Sequence, residues 1–287
     1  MRIHNFIKLI FLIPVFGAYA QNGASIDFDT KTEPIDNGTI KQTEVSIQLF
    51  KEIGTENKLR NTLKYKSTSI NDEIETYIAK DYDSNYDKTH FNTISNLFEF
   101  SHQLNDKSKL IVNIEPQVNF QNSISFSDFT ILGGIEWYQT INDKNNFGLG
   151  IKRMTVFGKP QLLPTFEYNH QFNSAVALKL GFPNSILTYS NNTRNIFSLN
   201  NDFSGSIYNL ESSIITDDSR NLSKVGFSQM ETTLQYERNF DKSWFIGLKG
   251  GYSSNKEFKF SDENRDSETN QKLKNGSVFS ISIKYKL

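Results

Sequence analysis

The last nine residues of the chain alternate between apolar and polar side chains up to the carboxyl end. The apolar members are Phe279, Ile281, Ile283, Tyr285 and Leu287, and serines and lysines stand between them. Because successive side chains of a strand point to opposite faces, this segment predicts a strand with one apolar and one cationic face. Such a strand suits a transmembrane barrel, in which one face meets lipid and the other meets a wet interior.

The amino terminus has the three parts of a secretory signal. Arg2 and Lys8 are basic, Leu9–Phe16 is apolar, and Ala18–Ala20 forms a small-x-small cleavage site. The apolar part is too short to span a bilayer as a helix, which takes about 20 residues. We therefore expect a signal peptide over residues 1–20 and a mature domain over residues 21–287. No cysteine follows the signal, which excludes a lipoprotein anchor.

The composition fits a barrel better than a helical membrane protein. The chain is 37% hydrophobic and 13% aromatic, with a mean hydropathy of -0.50. Alternating strands halve the hydrophobicity of each segment, so a barrel is polar on average. A formal net charge of -1 gives no basic face and argues against a nucleic-acid partner. The absence of cysteine excludes disulfides and thiolate metal sites.

Short polar turns recur along the chain and divide it into strands. They begin with Asn105, Asn142, Asn173 and Asp241, residue types whose side chains bond their own backbone in turns. Longer polar segments follow the strands at their other ends, which is the asymmetry of outer-membrane barrels. Counting through the turns predicts fourteen strands, with twelve as the alternative, at 24–31, 40–50, 58–70, 90–104, 108–120, 126–141, 146–157, 161–172, 175–182, 185–191, 195–209, 225–240, 244–256 and 275–287. Both termini fall on the short-turn side.

One face of each predicted strand is apolar, and we assign that face to lipid. The clearest sets are Leu110, Val112, Ile114, Val118 and Phe120; Phe129, Ile131, Ile135 and Trp137; Val176, Leu178, Leu180 and Phe182; and Trp244, Ile246, Leu248 and Tyr252. The alternative is a soluble barrel with these residues inside, which usually has about eight strands. The fold class is thus predicted as all-β, a transmembrane antiparallel up-and-down barrel.

The opposite face carries glutamate and lysine in a repeated arrangement. Each of three hairpins has one of each at positions symmetric about its turn, namely Glu136 with Lys152, Glu167 with Lys179, and Glu237 with Lys249. Residues symmetric about a hairpin turn lie opposite each other. We expect three ion pairs that fill or brace the lumen. The alternative is a solvated channel wall whose charges merely avoid lipid.

The sequence supplies no catalytic residues and no cofactor or metal site. The histidines lack the spacing of a zinc hydrolase, and Ser253-x-x-Lys256 is a short match without supporting motifs. Two acidic segments, Asp81–Asp87 and Asp262–Asp266, alternate oxygen ligands as calcium loops do. Both lack the glycine and the final glutamate of a calcium loop, so we interpret them as solvated surface.

Several motifs in the middle of the chain resemble an uncharacterised family of Gram-negative outer-membrane barrels. They are Phe147–Ile151, Phe157–Pro160, Leu162–Tyr168 and Leu180–Ser185. The family is known mainly as a domain of unknown function with a signal peptide, and the likeness is best over residues 129–210. The resemblance implies the same barrel fold and brings no catalytic residue or ligand with it.

These observations predict a non-enzymatic barrel of the cell outer membrane. We expect a channel or transport-type barrel for small polar or amphiphilic solutes. The alternative is a closed structural or surface-binding barrel that acts through its long loops, and an outer-membrane lipid hydrolase comes third. The expected partners are outer-membrane lipid and, during biogenesis, periplasmic chaperones and the barrel-assembly machinery.

Overall fold

The chain folds into one antiparallel sheet that closes on itself. The computed structural model describes residues 23–35, 38–71, 89–215, 221–264 and 268–287. The strands are β1 (Gly23–Ile35), β2 (Gly38–Ile53), β3 (Asn57–Asn71), β4 (Thr89–Asn105), β5 (Ser108–Phe120), β6 (Phe129–Asn142), β7 (Asn145–Met154), β8 (Gln161–Gln171), β9 (Val176–Phe182), β10 (Asn184–Asn192), β11 (Asn195–Ile215), β12 (Asn221–Asn239), β13 (Trp244–Ser261), β14 (Glu268–Lys272) and β15 (Gly276–Lys286). Neighbours follow chain order from β12 back to β1, continue through β15 to β13, and the β12–β13 pairing closes the barrel.

Fourteen strands form the wall, and β14 is a short branch that pairs only with the end of β13. The predicted all-β fold, the up-and-down order and the count of fourteen are therefore confirmed. Several wall strands run further than predicted, most of all β11, which continues to Ile215, and β13, which continues to Ser261. The branch β14 was missed, since its sequence ETNQK has neither alternation nor a turn signal. Within the described ranges, no helix is long and apolar enough to cross a membrane.

The apolar side chains lie on the outside of the barrel. Phe279, Ile281 and Ile283 of β15 are 58%, 52% and 42% exposed, whereas Ser280 between them is 5% exposed. A soluble barrel would bury the apolar face, so this arrangement contradicts the soluble alternative. Val118 departs from the predicted outer set, because its side chain is buried at 8% exposure.

Five of the short turns are built alike, and each of these is closed by its first polar side chain. Asn105, Asn142, Asn173 and Asn192 each accept a hydrogen bond at Oδ1 from the backbone N–H two residues later. Asp241 does the same for the N–H groups of Ser243 and Trp244, at 2.9 and 2.7 Å. The predicted role of Asn and Asp in these turns is confirmed. The first and last described residues lie on this rim, since Gly23 pairs with Phe50 and the N–H of Leu287 donates to Ala24.

At the opposite rim, the loop between β7 and β8 covers the end of the shortest hairpin. The wall strands β9 and β10 have only 7 and 9 residues. Above them, the hydroxyl of Thr155 donates to the carbonyl of Gly205 at 2.9 Å. The ring centroid of Phe157 lies 6.1 Å from that of Phe182 and 6.5 Å from that of Phe203. The loop thus continues the wall where the two strands end.

Candidate functional site in the barrel lumen

Two of the three predicted glutamate–lysine pairs meet in the lumen. Lys152 Nζ lies 2.5 Å from Glu136 Oε2, and Lys179 Nζ lies 2.6 Å from Glu167 Oε2. All four side chains are partly shielded from solvent, with exposures between 12% and 33%. Glu167 also accepts a hydrogen bond from the amide of Asn169 at 2.7 Å. What these pairs do for the protein stays a prediction.

The predicted register of these pairs is wrong by two residues. Glu136 lies opposite Gly150, and Glu167 lies opposite Gly181. Each lysine is two residues away from the glycine that faces its glutamate. The reason is that the turn centres differ from those assumed from the sequence. The ladder of the β6–β7 hairpin is centred on Asp143 instead of Lys144, and that of the β8–β9 hairpin on Ser174 instead of Asn173. The lysines therefore reach their glutamates diagonally, across a position that carries no side chain.

The third predicted pair does not form. Lys249 lies opposite Gln235, and Glu237 lies opposite Gly247. Glu237 instead contacts Lys284 of β15, with Nζ 3.5 Å from Oε2. Lys284 also contacts Asp27 of β1 at 3.2 Å, so its ammonium joins two carboxylates from different strands. Lys249 forms no ion pair with any carboxylate of the described chain.

Other contacts join strands that are not neighbours in the wall. Lys31 of β1 pairs with Glu231 of β12. Glu33 of β1 pairs with Lys256 of β13 at 2.8 Å, and both side chains are fully buried. Ser253 donates to the same carboxylate, whereas Glu33 Oε2 has no hydrogen-bond partner among the described residues. The interior is thus held by charged contacts that pass over intervening strands.

An apolar cluster occupies the lumen at the end away from the short turns. Its buried members come from three strands on each side, and they are Ile40, Ile70, Phe91, Tyr208, Leu210, Leu222, Val225, Phe258 and Phe260. The ring centroids of Phe91 on β4 and Tyr208 on β11 are 4.7 Å apart. Tyr208 OH also lies 3.3 Å from Thr93 Oγ1. The cluster therefore joins β2–β4 to β11–β13 across the lumen.

The lumen holds two cavities of different character. The larger, of about 480 Å³, has the apolar cluster at one end and a belt of charged side chains below it. The smaller, of about 370 Å³, lies among β2–β9 near the short turns and is lined by both predicted pairs, together with Arg60 and Lys109. Arg60 pairs with Glu99 at 3.0 Å. Only the larger cavity combines an extended apolar surface with charges.

Lys66 lies at the boundary between the apolar cluster and the charged belt. Lys66 lies opposite Glu44 of β2 in the backbone ladder. The side chain of Glu44, however, forms its ion pair with Lys64, at 3.2 Å. The ammonium of Lys66 donates to the hydroxyl of Ser206 on β11 at 2.9 Å, and so reaches across the lumen. Within the part of the chain that the structure describes, Lys66 forms no ion pair. It is a cation next to apolar side chains with only a hydroxyl as partner.

The described residues show no group of three His, Cys, Asp or Glu side chains placed to hold a metal ion. The acidic segment at residues 81–87 lies outside the described residues, as does Asp266 of the second segment. Ser253 and Lys256 both contact Glu33, with the serine hydroxyl donating to the carboxylate and the lysine ammonium forming an ion pair with it.

The sequence reasoning missed the apolar cluster and Lys66, although a signal for both was present. On β3 the lumen-facing positions run Lys64, Lys66, Thr68, Ile70, from charged to apolar toward the loop end. On β2 they run Ser46, Glu44, Gln42, Ile40 in the same sense. Following the polar face as well as the apolar face would have predicted an apolar end to the lumen.

The geometry defines a closed fourteen-stranded β-barrel with an apolar exterior and a lumen that is charged at one end and apolar at the other. The family model described as Domain of unknown function (DUF6268) matches residues 25–286. The chain belongs to this family, and the resemblance noted in its central motifs is confirmed. A comparison with curated proteins finds no match.

Solved structures of outer-membrane barrels are similar to this chain at low identity. The toluene transporter TodX of Pseudomonas putida has 10% identity and a TM-score of 0.48, with 95% of this chain and 92% of that chain covered. A FadL homologue of Pseudomonas aeruginosa has 11% identity and a TM-score of 0.44, with 92% and 89% covered. The KdgM porin in complex with oligogalacturonate has 7% identity and a TM-score of 0.39, with 91% and 98% covered. Similarity at this level does not indicate a solute for this chain.

Proposed function

We propose that this protein is a transport-type barrel of the outer membrane that admits small amphiphilic solutes to its lumen. The observation that carries the proposal is the larger cavity, in which apolar side chains such as Phe91 and Phe258 face charged side chains such as Lys66 and Glu44. Its volume of about 480 Å³ is within the usual range of ligand pockets, about 300–1,000 Å³. A solute with an apolar part and a charged part matches both ends.

The exterior supports the membrane part of this proposal. Large apolar side chains are exposed on the outer face, among them Ile114, Ile135, Leu149 and Leu180, at 51%, 45%, 54% and 52%. Exposed apolar surface on this scale is stable in hydrocarbon and promotes aggregation in water. Export through the predicted signal peptide over residues 1–20 belongs to the same proposal.

The second candidate function is a closed structural or surface-binding barrel. The contacts that cross the lumen favour it, above all the Phe91–Tyr208 stacking and the hydrogen bond from Lys66 to Ser206. An apolar constriction can also exclude water and ions without a mechanical block. The two candidates therefore differ in whether the apolar end opens for a solute.

Release of trapped solutes from lipid vesicles separates the two candidates. The refolded mature chain is reconstituted into vesicles loaded with 4-toluenesulfonate, a permanently charged amphiphile, together with sucrose. A transport barrel releases toluenesulfonate faster than protein-free vesicles do, and faster than it releases sucrose. Retention of both solutes would contradict transport and favour the closed barrel.

Removing one aromatic ring from the apolar end sharpens this comparison. Phe258→Ala removes a ring that is 2% exposed within the cluster, and should accelerate the release of both solutes. Phe279→Ala, which removes a ring that is 58% exposed on the outer face, is the matched control and should leave release unchanged.

A further inference from the structure

We propose that the larger cavity binds an anionic amphiphile, with the negatively charged group at Lys66 and the apolar part against the apolar cluster. This inference rests on the proposed function and specifies the sign of the solute's charge.

Lys66 lines the larger cavity and lies four residues from Ile70 of the apolar cluster on the same face of β3. Its partner Ser206 lies two residues from Tyr208 on the same face of β11. Two residues along a strand span about 7 Å. The Lys66 ammonium can therefore contact the charged group of a solute whose apolar part contacts Tyr208 and Phe91. An anion bound there would stay in contact with both ends of the cavity.

Two glutamates that line the cavity near Lys66 are already paired with other lysines. Glu44, which faces Lys66 in the ladder, contacts Lys64 at 3.2 Å. Glu231, further along the lumen, contacts Lys31. Lys66 itself has only the hydroxyl of Ser206, a neutral acceptor. A carboxylate or sulfonate would replace this neutral hydrogen bond with a charge-assisted one, which is roughly twice as strong.

A cationic amphiphile fits the cavity less well. Two acids that line the cavity make no ion pair with a described residue, Asp29 and Asp202. Asp29 lies in the same row of the ladder as Lys66 and already accepts a hydrogen bond from Ser280 at 2.5 Å. Asp202 lies six residues from Tyr208 on β11. Six residues span about 20 Å, so a small cation at Asp202 would leave its apolar part far from the apolar cluster.

Binding of three matched probes to the mature chain in lipid nanodiscs tests the proposal, with empty nanodiscs as the blank. The probes are 4-phenylbutyrate, 4-phenylbutanol and (4-phenylbutyl)trimethylammonium. We expect saturable binding of 4-phenylbutyrate, at least about tenfold tighter than that of the cation, because a hydrogen bond to a charged group contributes about 1.5–3 kcal/mol.

Three variants assign the effect to Lys66. Lys66→Met should weaken 4-phenylbutyrate about tenfold and leave 4-phenylbutanol unchanged. Lys58→Met is the matched control, because Lys58 lines the smaller cavity and pairs with Glu52, and it should have no effect. Ser206→Ala keeps the ammonium and removes its present partner, and should preserve or strengthen binding of the anion.

The outcomes distinguish this inference from the proposed function. Equal or tighter binding of the cation, or an unchanged affinity for 4-phenylbutyrate in Lys66→Met, overturns the anionic site and leaves an amphiphile-binding lumen in place. If no probe binds saturably to the wild-type chain, both the anionic site and the proposed solute-binding lumen are wrong.

Discussion

Glu237 of β12 contacts Lys284 of β15 at 3.5 Å although β13 runs between them. The position of β13 that faces Glu237 is Gly247, which also faces Ser282 next along β15. Gly247 places no side chain between them, and a Cβ there would lie 2.4 Å from Ser282 Oγ and require that hydroxyl to rotate away. Lys284 can therefore extend over β13 to the carboxylate of Glu237 on β12, a strand with which β15 makes no backbone pairing.

Replacing Lys284 should cost more stability than replacing Lys249. Lys284→Met leaves the carboxylates of Asp27 and Glu237 without a cation, whereas Lys249 makes no ion pair among the described residues. Since these side chains are 17% to 31% exposed, we expect a difference of about 1–2 kcal/mol in the free energy of unfolding. Urea unfolding in lipid vesicles, followed by tryptophan fluorescence, measures it. Equal losses would show that the Lys284 contacts add no stability.

A larger loss is expected from the fully buried pair of Glu33 and Lys256. Lys256→Met leaves the Glu33 carboxylate buried without a cation, which typically costs about 3–5 kcal/mol. The matched control is Lys58→Met, whose pair with Glu52 is about half exposed and should cost about 0–1 kcal/mol. The same unfolding assay compares them, and a loss in Lys256→Met as small as in the control would contradict this account.

Glycines in the wall make room for the charged side chains beside them. A Cβ at Gly150 would lie 2.5 Å from Glu136 Cγ and 2.8 Å from Thr165 Oγ1, whereas one at Gly250 would meet only ring carbons of Phe279 at 3.8 Å or more. We expect Gly150→Ala to destabilise the barrel by about 1–3 kcal/mol relative to Gly250→Ala. The prediction is wrong if the two variants unfold at the same urea concentration.

The turn after β12 gives a pH dependence with a defined sign. Backbone hydrogen bonds from Trp244 and Ser243 lower the pKa of Asp241 below its usual value of 3.8. A carboxyl whose pKa is lowered by folding stabilises the folded chain at pH values above its usual pKa. This stability is lost as the pH falls through the lowered pKa. The increment should be absent in Asp241→Asn, since asparagine holds the equivalent turns at Asn105 and Asn173.

Unfolding of wild type and Asp241→Asn between about pH 2 and pH 6 measures this increment. The wild-type chain should lose stability relative to the variant only in the acidic part of the range. A constant difference across the whole range would show that Asp241 does not titrate differently in the folded barrel.

The sequence was sufficient for the wall of the barrel but not for the arrangement inside it. Strand number and the outward face follow from local signals, namely alternation and turns such as those at Asn142 and Asp241. The contacts of Lys284 and Lys66 depend on which distant strands face each other and on where glycines leave space. The two-residue error in the Glu136–Lys152 register has a local cause, because the hairpin is centred on Asp143 and not on Lys144. Closure and shear are properties of the complete barrel, and no single hairpin encodes them.

The central claim is that the apolar face of the wall contacts hydrocarbon and the polar face lines the lumen. The chain has no cysteine, so single cysteines at Ile281, Ser282 and Ile283 can each carry a bimane label. In reconstituted vesicles, a nitroxide attached to lipid should quench the labels at 281 and 283 and spare the label at 282. Loss of this alternation, or a mature chain that stays monomeric and monodisperse in buffer without detergent, would contradict the account.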